Sequence, residues 1–120
     1  MQKVQGIGGF FFRARDPEAL ARWYEVNLGV SKAPGDMETP PWVSKEGVTV
    51  FAPFRQDTDY FSAEKQFMLN FRVADMDAML AQLRAAGIAI TREQTMEGIG
   101  RFAHLEDPEG NPIELWEPSA

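Results

Sequence analysis

Two copies of one short pattern lie in this chain: Phe12-Arg13-Ala14-Arg15-Asp16-Pro17-Glu18-Ala19-Leu20 and Phe71-Arg72-Val73-Ala74-Asp75-Met76-Asp77-Ala78-Met79. The second copy begins 59 residues (71 − 12) after the first. Each copy passes from an apolar run through an Asp to a segment with helical spacing, which ends at a glycine, Gly29 or Gly87. A repeat of half the chain length predicts two similar units that stack because neither buries its apolar face alone. Function is expected in the cleft where they meet.

The first unit is predicted to be a strand, a helix and two further strands. Asp16 has the side chain of a helix cap, and Pro17 follows at the first helical turn. Trp23 and Tyr24 lie on the apolar stripe of this helix and are interpreted as structural residues. The predicted strands are Ile7–Arg15, Trp42–Glu46 and Val48–Phe54.

The second unit follows the same plan. Asp75 is predicted to cap its helix, and Gly87 to end it. The predicted strands are Gln66–Val73, Ile88–Thr95, Gly100–Glu106 and Pro112–Glu117. The fold class is therefore α+β, in one domain of residues 1–120, with modules at about residues 6–54 and 66–117.

Composition narrows the functional classes. Zero Cys excludes disulfides, thiolate catalysis and Cys-ligated metals, and a net charge of −6 argues against nucleic-acid binding. The chain has no apolar run near the ~20 residues that a membrane span needs, and it does not begin with a signal-like segment. We therefore expect a soluble, cytoplasmic protein with neither a nucleic-acid nor a membrane partner.

The most specific local motif is Asp107-Pro108-Glu109-Gly110-Asn111-Pro112-Ile113-Glu114-Leu115-Trp116, a tight turn followed by an alternating strand. Together with the repeated unit and the Trp23-Tyr24…Leu28-Gly29 helix end, it resembles the vicinal oxygen chelate superfamily of glyoxalase, bleomycin-resistance and extradiol dioxygenase proteins. The resemblance covers the whole chain. It implies two βαβββ modules that form a U-shaped mixed sheet around a cavity, with the helices outside, usually in a homodimer.

The same resemblance implies where a divalent metal would bind. Metal-dependent members place a His at the start of the first strand, a His or Gln at the start of the fifth and a Glu on the eighth. The matching positions here are Gly9, Met68 and Glu114, so only Glu114 keeps a ligand-type side chain. Gly has no donor and Met offers a soft thioether. We therefore expect no metal ligand set and no cofactor, and a divalent metal is disfavoured.

Strand alternation predicts which side chains line the cleft instead. Residues two apart share a face, so Met68, Asn70 and Arg72 oppose the apolar face of their strand. Arg13 and Arg72 are placed at one rim. The predicted ligand-binding residues are Phe11, Met68, Asn70 and Trp116, beside Glu114. This lining suits a small, mostly apolar or aromatic molecule.

Several residues have two interpretations. Glu114 is equally compatible with an ion pair to Arg13 or Arg72 and with a ligand or general-base role. A single strand histidine such as His104 is more often structural, but it could form an acid–base pair with Glu114 if both face inward. In the polar joint between the units, Tyr60 and Phe61 are compatible with a lid or a dimer contact.

Two functional classes follow from the resemblance. One is a protein that binds a small molecule between its modules without catalysis, as in the metal-independent bleomycin-resistance branch. The alternative is a metal-assisted glyoxalase-like lyase, isomerase or dioxygenase that uses Glu114, with His104 as a weaker catalytic candidate. A third possibility is a protein of this fold that only contacts other proteins. A homodimer is expected, because exposed apolar edges need cover.

Overall fold

The computed structural model describes all 120 residues and contains two helices and one four-stranded mixed sheet. The fold class is α+β, as the sequence predicts. Its elements are helix α1 (Pro17–Leu28), strand β1 (Leu69–Arg72), helix α2 (Met76–Ala85) and strands β2 (Arg92–Met96), β3 (Gly100–Glu106) and β4 (Pro112–Pro118).

The strand order across the sheet is β1-β4-β3-β2. Strand β1 runs parallel to β4, while β4–β3 and β3–β2 are antiparallel. The register aligns one row across all four strands: Asn70 opposite Glu114, Glu114 opposite His104, and His104 opposite Arg92. Directly opposite residues share a face of the sheet, so these four side chains lie side by side.

The repeated helix signals are confirmed at both copies. Asp16 caps α1 by accepting a hydrogen bond from the Ala19 amide at 3.1 Å, and Asp75 caps α2 in the same way from Ala78 at 3.0 Å. Gly29 ends α1 in the left-handed conformation, with φ of 72°. A side chain there would be strained, which explains why the helix stops at glycine.

The core lies between the two helices and one face of the sheet. Its fully buried members come from α1, α2, β3 and β4: Leu20, Tyr24, Met76, Leu80, Leu83, Ala103, Leu105, Ile113 and Leu115. Leu69, Phe71 and Val73 pack against it, as alternation predicts for the apolar side of that segment. Neither helix has the length and apolar character needed to cross a membrane.

The strands predicted in the first unit, Ile7–Arg15, Trp42–Glu46 and Val48–Phe54, are not formed. No backbone-to-backbone hydrogen bond involves residues 1–15 or 31–54. Phe10 and Phe12 contact Phe67 through their rings, at 5.0 and 5.9 Å between centroids, and not through a main-chain ladder. A strand requires a hydrogen-bonded neighbour, and a β-type residue pattern does not supply one.

Three of the strands predicted in the second unit have different ends in the structure. The first shortens to β1, and the second begins at Arg92 instead of Ile88. The predicted strand Gly100–Glu106 is confirmed at both ends, and the last strand extends by one residue to Pro118.

A buried carboxylate, Asp107, connects α1 to the turn between β3 and β4. Its Oδ2 accepts hydrogen bonds from the Tyr24 hydroxyl at 2.6 Å and from the Asn111 side-chain amide at 2.8 Å. Its Oδ1 accepts from the backbone amides of Glu109 and Asn111, at 2.8 and 3.0 Å. Burial, followed by the hydrogen bond to Asp107, strongly raises the pKa of Tyr24, so its hydroxyl remains a donor.

Replacing Asp107 with Ala should destabilise the fold by about 3 kcal/mol, because buried donors of Tyr24 and Asn111 lose their acceptor. The free energy of unfolding from urea titration measures this change. Asp57→Ala is the matched control. Asp57 is exposed and pairs only with Arg55, so its loss should change stability by less than about 0.5 kcal/mol. A loss below about 1 kcal/mol in Asp107→Ala would contradict the structural importance of this carboxylate.

Candidate functional site

The sheet has two chemically different faces. One face carries the core side chains of β3 and β4, including Ala103, Leu105, Ile113 and Leu115. The opposite face, called the open face below, carries polar and aromatic side chains: Asn70, Arg72, Arg92, Gln94, Met96, Phe102, His104, Glu114 and Trp116. The period of two residues along each strand separates the two sets.

Glu114 lies at the centre of the open face and is only 6 % exposed. Its Oε1 accepts a hydrogen bond from the Asn70 side-chain amide at 2.7 Å. Its Oε2 accepts from the Tyr60 hydroxyl at 2.5 Å and lies 2.8 Å from His104 Nε2. The carboxylate is therefore held by side chains from β1, β3 and the joint between the two units.

These contacts set the protonation states of the site. Burial opposes ionisation of Glu114, but hydrogen bonds from His104, Tyr60 and Asn70 together outweigh it and hold its pKa below the ordinary 4.5. Burial, the hydrogen bond to Glu114 and the negative charge of Glu114 raise the pKa of Tyr60 to about 12. At neutral pH the site thus combines an ionised carboxylate acceptor with a neutral phenol donor.

Tyr60 is the site residue that the sequence analysis did not assign to Glu114. Its ring contacts the His104 imidazole edge-on, with 5.1 Å between centroids. The Arg92 guanidinium carbon lies over the ring, 5.3 Å from its centroid, in a cation–π arrangement. The only sequence signal was a pair of aromatic residues in a polar segment, which does not specify a partner 54 positions away.

An aromatic pair continues the open face beyond Glu114. The rings of Phe102 and Trp116 are parallel to within 2°, with centroids 6.0 Å apart. Trp116 Nε1 donates to the Ile99 carbonyl at 3.0 Å, which fixes the orientation of the indole. The two rings stack on each other, on the same face of the sheet as the Glu114 carboxylate.

The two arginines considered as partners of Glu114 do not pair with it. Arg72 instead donates to the carbonyls of Lys45 and Glu46, at 2.9 and 3.3 Å. Arg13 is exposed and forms no ion pair. The side chain that approaches Glu114 instead is His104, at 2.8 Å, so the inward-facing His–Glu pair is the alternative that the structure forms.

The structure places the four predicted ligand-binding residues differently. Asn70 contacts Glu114 directly, and Trp116 lies on the same face of the sheet. Met68 is half-buried just before β1. Phe11 was expected to line the cleft, but its side chain is 94 % exposed. That placement is wrong because the alternation that would turn Phe11 inward requires a strand, and none forms over residues 7–15. Ligand binding by Met68, Asn70 and Trp116 stays a prediction.

The donor set around Glu114 does not suit a divalent metal ion. Beside its carboxylate lie one imidazole, one amide and one phenol, and no group of three His, Cys, Asp or Glu side chains is assembled in the chain. Zinc sites in proteins normally use three or four imidazole, thiolate or carboxylate ligands. The chemistry this site offers by itself is hydrogen bonding and proton exchange between His104 and Glu114.

Two cavities lie away from the open face, on the helix side of the molecule. They measure about 380 and 220 Å³ and share Trp23 and Pro108. Neither cavity includes a residue of the open face. We place the candidate site at Glu114 and not at these cavities, because the buried, hydrogen-bonded polar groups converge there.

The comparisons with known proteins agree with this architecture. Residues 9–116 match the family model of the glyoxalase-like domain. An antibiotic binding protein, TnmS3 from Streptomyces sp. CB03234, is 23 % identical over 99 % of this chain and 100 % of its own, with a TM-score of 0.68. A glyoxylase/bleomycin resistance protein/dioxygenase domain from Frankia sp. EAN1pec is 20 % identical over 98 % and 100 %, with a TM-score of 0.64.

A third structure, lactoylglutathione lyase from Agrobacterium tumefaciens, is 19 % identical over 97 % of this chain and 96 % of its own, with a TM-score of 0.60. At these identities the likeness shows the fold alone. A comparison with curated proteins finds no match.

The lowered pKa of Glu114 predicts a pH-dependent contribution to stability. Because the folded pKa lies below the unfolded one, this contribution is present above about pH 4.5 and is lost as the pH falls through the folded value. Between about pH 5 and about pH 3, the free energy of unfolding should therefore fall less steeply in Glu114→Gln than in the unsubstituted protein. Urea titrations across this range measure both slopes.

Glu97→Gln is the control for that comparison, because Glu97 is exposed and forms no ion pair. It should reproduce the slope of the unsubstituted protein. Equal slopes in Glu114→Gln and Glu97→Gln would show that the hydrogen bonds of Glu114 do not favour its ionised form.

Proposed function

The chain belongs to the glyoxalase-like domain family, and we propose that it binds a small, mostly apolar or aromatic molecule on the open face of its sheet. In this proposal Glu114 supplies the polar anchor, and Asn70 and Trp116 contact the ligand. The family's usual divalent metal takes no part. Met68 borders the same site.

One observation carries the proposal: a buried, ionised carboxylate shares the open face with a stacked aromatic pair. Glu114 can orient a ligand through hydrogen bonds, while the parallel rings of Phe102 and Trp116 offer an apolar surface for stacking. Ligand sites in proteins typically combine apolar lining with a few fixed polar groups. The similar antibiotic binding protein from Streptomyces adds support for a binding function in this fold.

The second candidate is a lyase, isomerase or dioxygenase of the glyoxalase-like type. The 2.8 Å contact between His104 and Glu114 favours it, because such a pair can accept and return a proton. The similar lactoylglutathione lyase is an enzyme of this fold. In the metal-assisted form of this candidate, Glu114 is a metal ligand, and the metal content of the protein therefore distinguishes the two candidates.

We predict that protein purified without added metal contains less than about 0.1 divalent ion per chain, because only two side chains of suitable type converge at Glu114. Elemental analysis for zinc, nickel, iron and manganese measures this. One ion per chain in the original protein, lost in Glu114→Ala but retained in Glu97→Ala, would instead support the metal-assisted enzyme.

Planar aromatic compounds should raise the melting temperature of the protein, whereas saturated compounds of equal size should not. Glu114→Gln should change the ranking of hydroxylated and unsubstituted aromatics, because the amide keeps the shape of the carboxylate but not its charge. Thermal shift with matched compound pairs measures both effects. The same ranking in both proteins would contradict the anchor role of Glu114.

We also propose that the protein is a homodimer. Its accessible surface is 9593 Å², whereas a compact monomer of 13.5 kDa exposes about 6,500 Å². The excess is several times the roughly 800 Å² that each partner contributes to a standard interface. Much of it is apolar and lies in the segments that form no strands, including Phe11, Val43, Val50 and Phe51. A second copy of this chain would cover it.

Sedimentation equilibrium at micromolar concentration should therefore give twice the chain mass. Phe51→Asp, at a position 85 % exposed within the proposed interface, should weaken association at least tenfold, because it would bury an unpaired charge. Val26→Asp changes an apolar residue that is 67 % exposed on helix α1 and should leave the dimer intact. A monomeric original protein would contradict the proposal.

A further inference from the structure

We infer that the ligand of the open face is a neutral hydroxyaromatic molecule whose ring and hydroxyl replace the side chain of Tyr60. The inference rests on the proposed binding function and specifies its ligand class. It also makes Tyr60 a residue that determines specificity, because the ligand has to compete with it.

The surroundings of Tyr60 resemble those of a bound ligand. Its hydroxyl donates to Glu114 Oε2 at 2.5 Å, its ring contacts the edge of His104, and Arg92 lies over that ring. The three contacts come from strands β4, β3 and β2, none of which is adjacent to Tyr60 in the chain. A free phenol can make each of these contacts in the same way.

The charges of the site select the ligand class. The ionised carboxylate of Glu114 can only accept hydrogen bonds, so a ligand has to donate one. An anionic ligand would be repelled by Glu114, and a cationic head group would meet the guanidinium of Arg92. An aromatic ring with a hydroxyl group satisfies both restrictions and can also contact His104 and Arg92 as Tyr60 does.

The segment that carries Tyr60 is only lightly attached to the rest of the molecule. Its backbone hydrogen bonds are local, from Thr58 to Arg55 and from Lys65 to Ser62. Outside the Glu114 cluster, the Lys65 ammonium donates to the Glu109 carbonyl at 3.3 Å. The rings of Tyr60 and Phe61 also contact the ring of the nearby Phe54, with centroids 5.7 and 5.8 Å apart. Moving Tyr60 aside therefore breaks few contacts, and a ligand hydroxyl restores the most important of them.

Tyr24 provides the internal comparison, since the chain has only two tyrosines. Its hydroxyl also donates to a buried carboxylate, Asp107, but its ring is 6 % exposed and lies among Phe12, Trp23 and Phe71. A ligand cannot replace that ring without opening the core. The two residues thus share a hydrogen-bonding pattern and differ in whether the ring can be exchanged.

The first test uses p-cresol and toluene, which differ by one hydroxyl, with Tyr60→Ala as the opened protein. Titration calorimetry should show that p-cresol binds Tyr60→Ala at least tenfold more tightly than it binds the original protein. Tyr60→Ala should also bind p-cresol at least tenfold more tightly than it binds toluene, because a hydrogen bond to a charged group raises affinity about tenfold to a hundredfold. In the double variant that carries both Tyr60→Ala and Glu114→Ala, p-cresol should bind no more tightly than toluene does. Equal binding of p-cresol and toluene to Tyr60→Ala would overturn the inference.

The second test uses the unsubstituted protein and does not depend on the folding of a variant. When the tyrosine rings are isotope-labelled, the nuclear magnetic resonance spectrum distinguishes Tyr60 from Tyr24. Saturating p-cresol should move the Tyr60 signal toward that of solvent-exposed tyrosine and leave Tyr24 unchanged, while toluene moves neither. Binding of p-cresol with an unmoved Tyr60 signal would overturn the inference.

Failure of this inference is distinguishable from failure of the proposed function. If larger planar aromatics stabilise the original protein but p-cresol shows no preference over toluene in Tyr60→Ala, the hydroxyaromatic class is wrong and the aromatic binding site stands. If no aromatic compound binds either protein, the proposed function fails, and this inference fails with it.

Discussion

The fold depends on the hydrogen bonds that the buried carboxylate of Asp107 accepts. A carboxyl group without hydrogen-bond partners is costly to bury, and four donors from the adjacent turn and helix α1 satisfy this one. The turn is thereby fixed, and with it the register between β3 and β4. Glu109, two residues further on, accepts hydrogen bonds from the amides of Arg15 and Asp16 at the start of α1. The same turn thus anchors the first helix to the second half of the chain.

The register that this turn sets has a direct consequence for the site. It places His104 opposite Glu114 on the open face, while Leu105 and Ile113 face the core. A shift of one residue would exchange the two faces and bury charged groups among the leucines. Packing on the helix side therefore enforces the arrangement of polar groups on the other side. This coupling explains how the Glu114 carboxylate can be held ionised at low exposure.

Sequence reasoning succeeded where the signals are local. The caps at Asp16 and Asp75, the left-handed Gly29 and the strand Gly100–Glu106 all follow from neighbouring residues, and the structure confirms each of them. The strands of the first unit were predicted from composition, but pairing depends on a partner that composition does not specify. The contact between Asn70 and Glu114 follows from alternation along two strands, whereas Tyr60 reaches the site from a segment without regular structure. No periodicity could have placed its hydroxyl.

Asp107 and Glu114 are two buried carboxylates, seven positions apart, that differ in the kind of group hydrogen-bonded to them. Two of the hydrogen bonds to Asp107 come from the main chain of its own turn, which no ligand can replace while the turn exists. All the hydrogen-bonding partners of the Glu114 carboxylate are side chains, and two of them lie 44 and 54 positions away. Such partners can rotate aside without unfolding a strand, and each leaves a vacant acceptor position. The carboxylate with local main-chain partners therefore stabilises the fold, and the carboxylate with distant side-chain partners is the one whose partners the proposed ligand would replace.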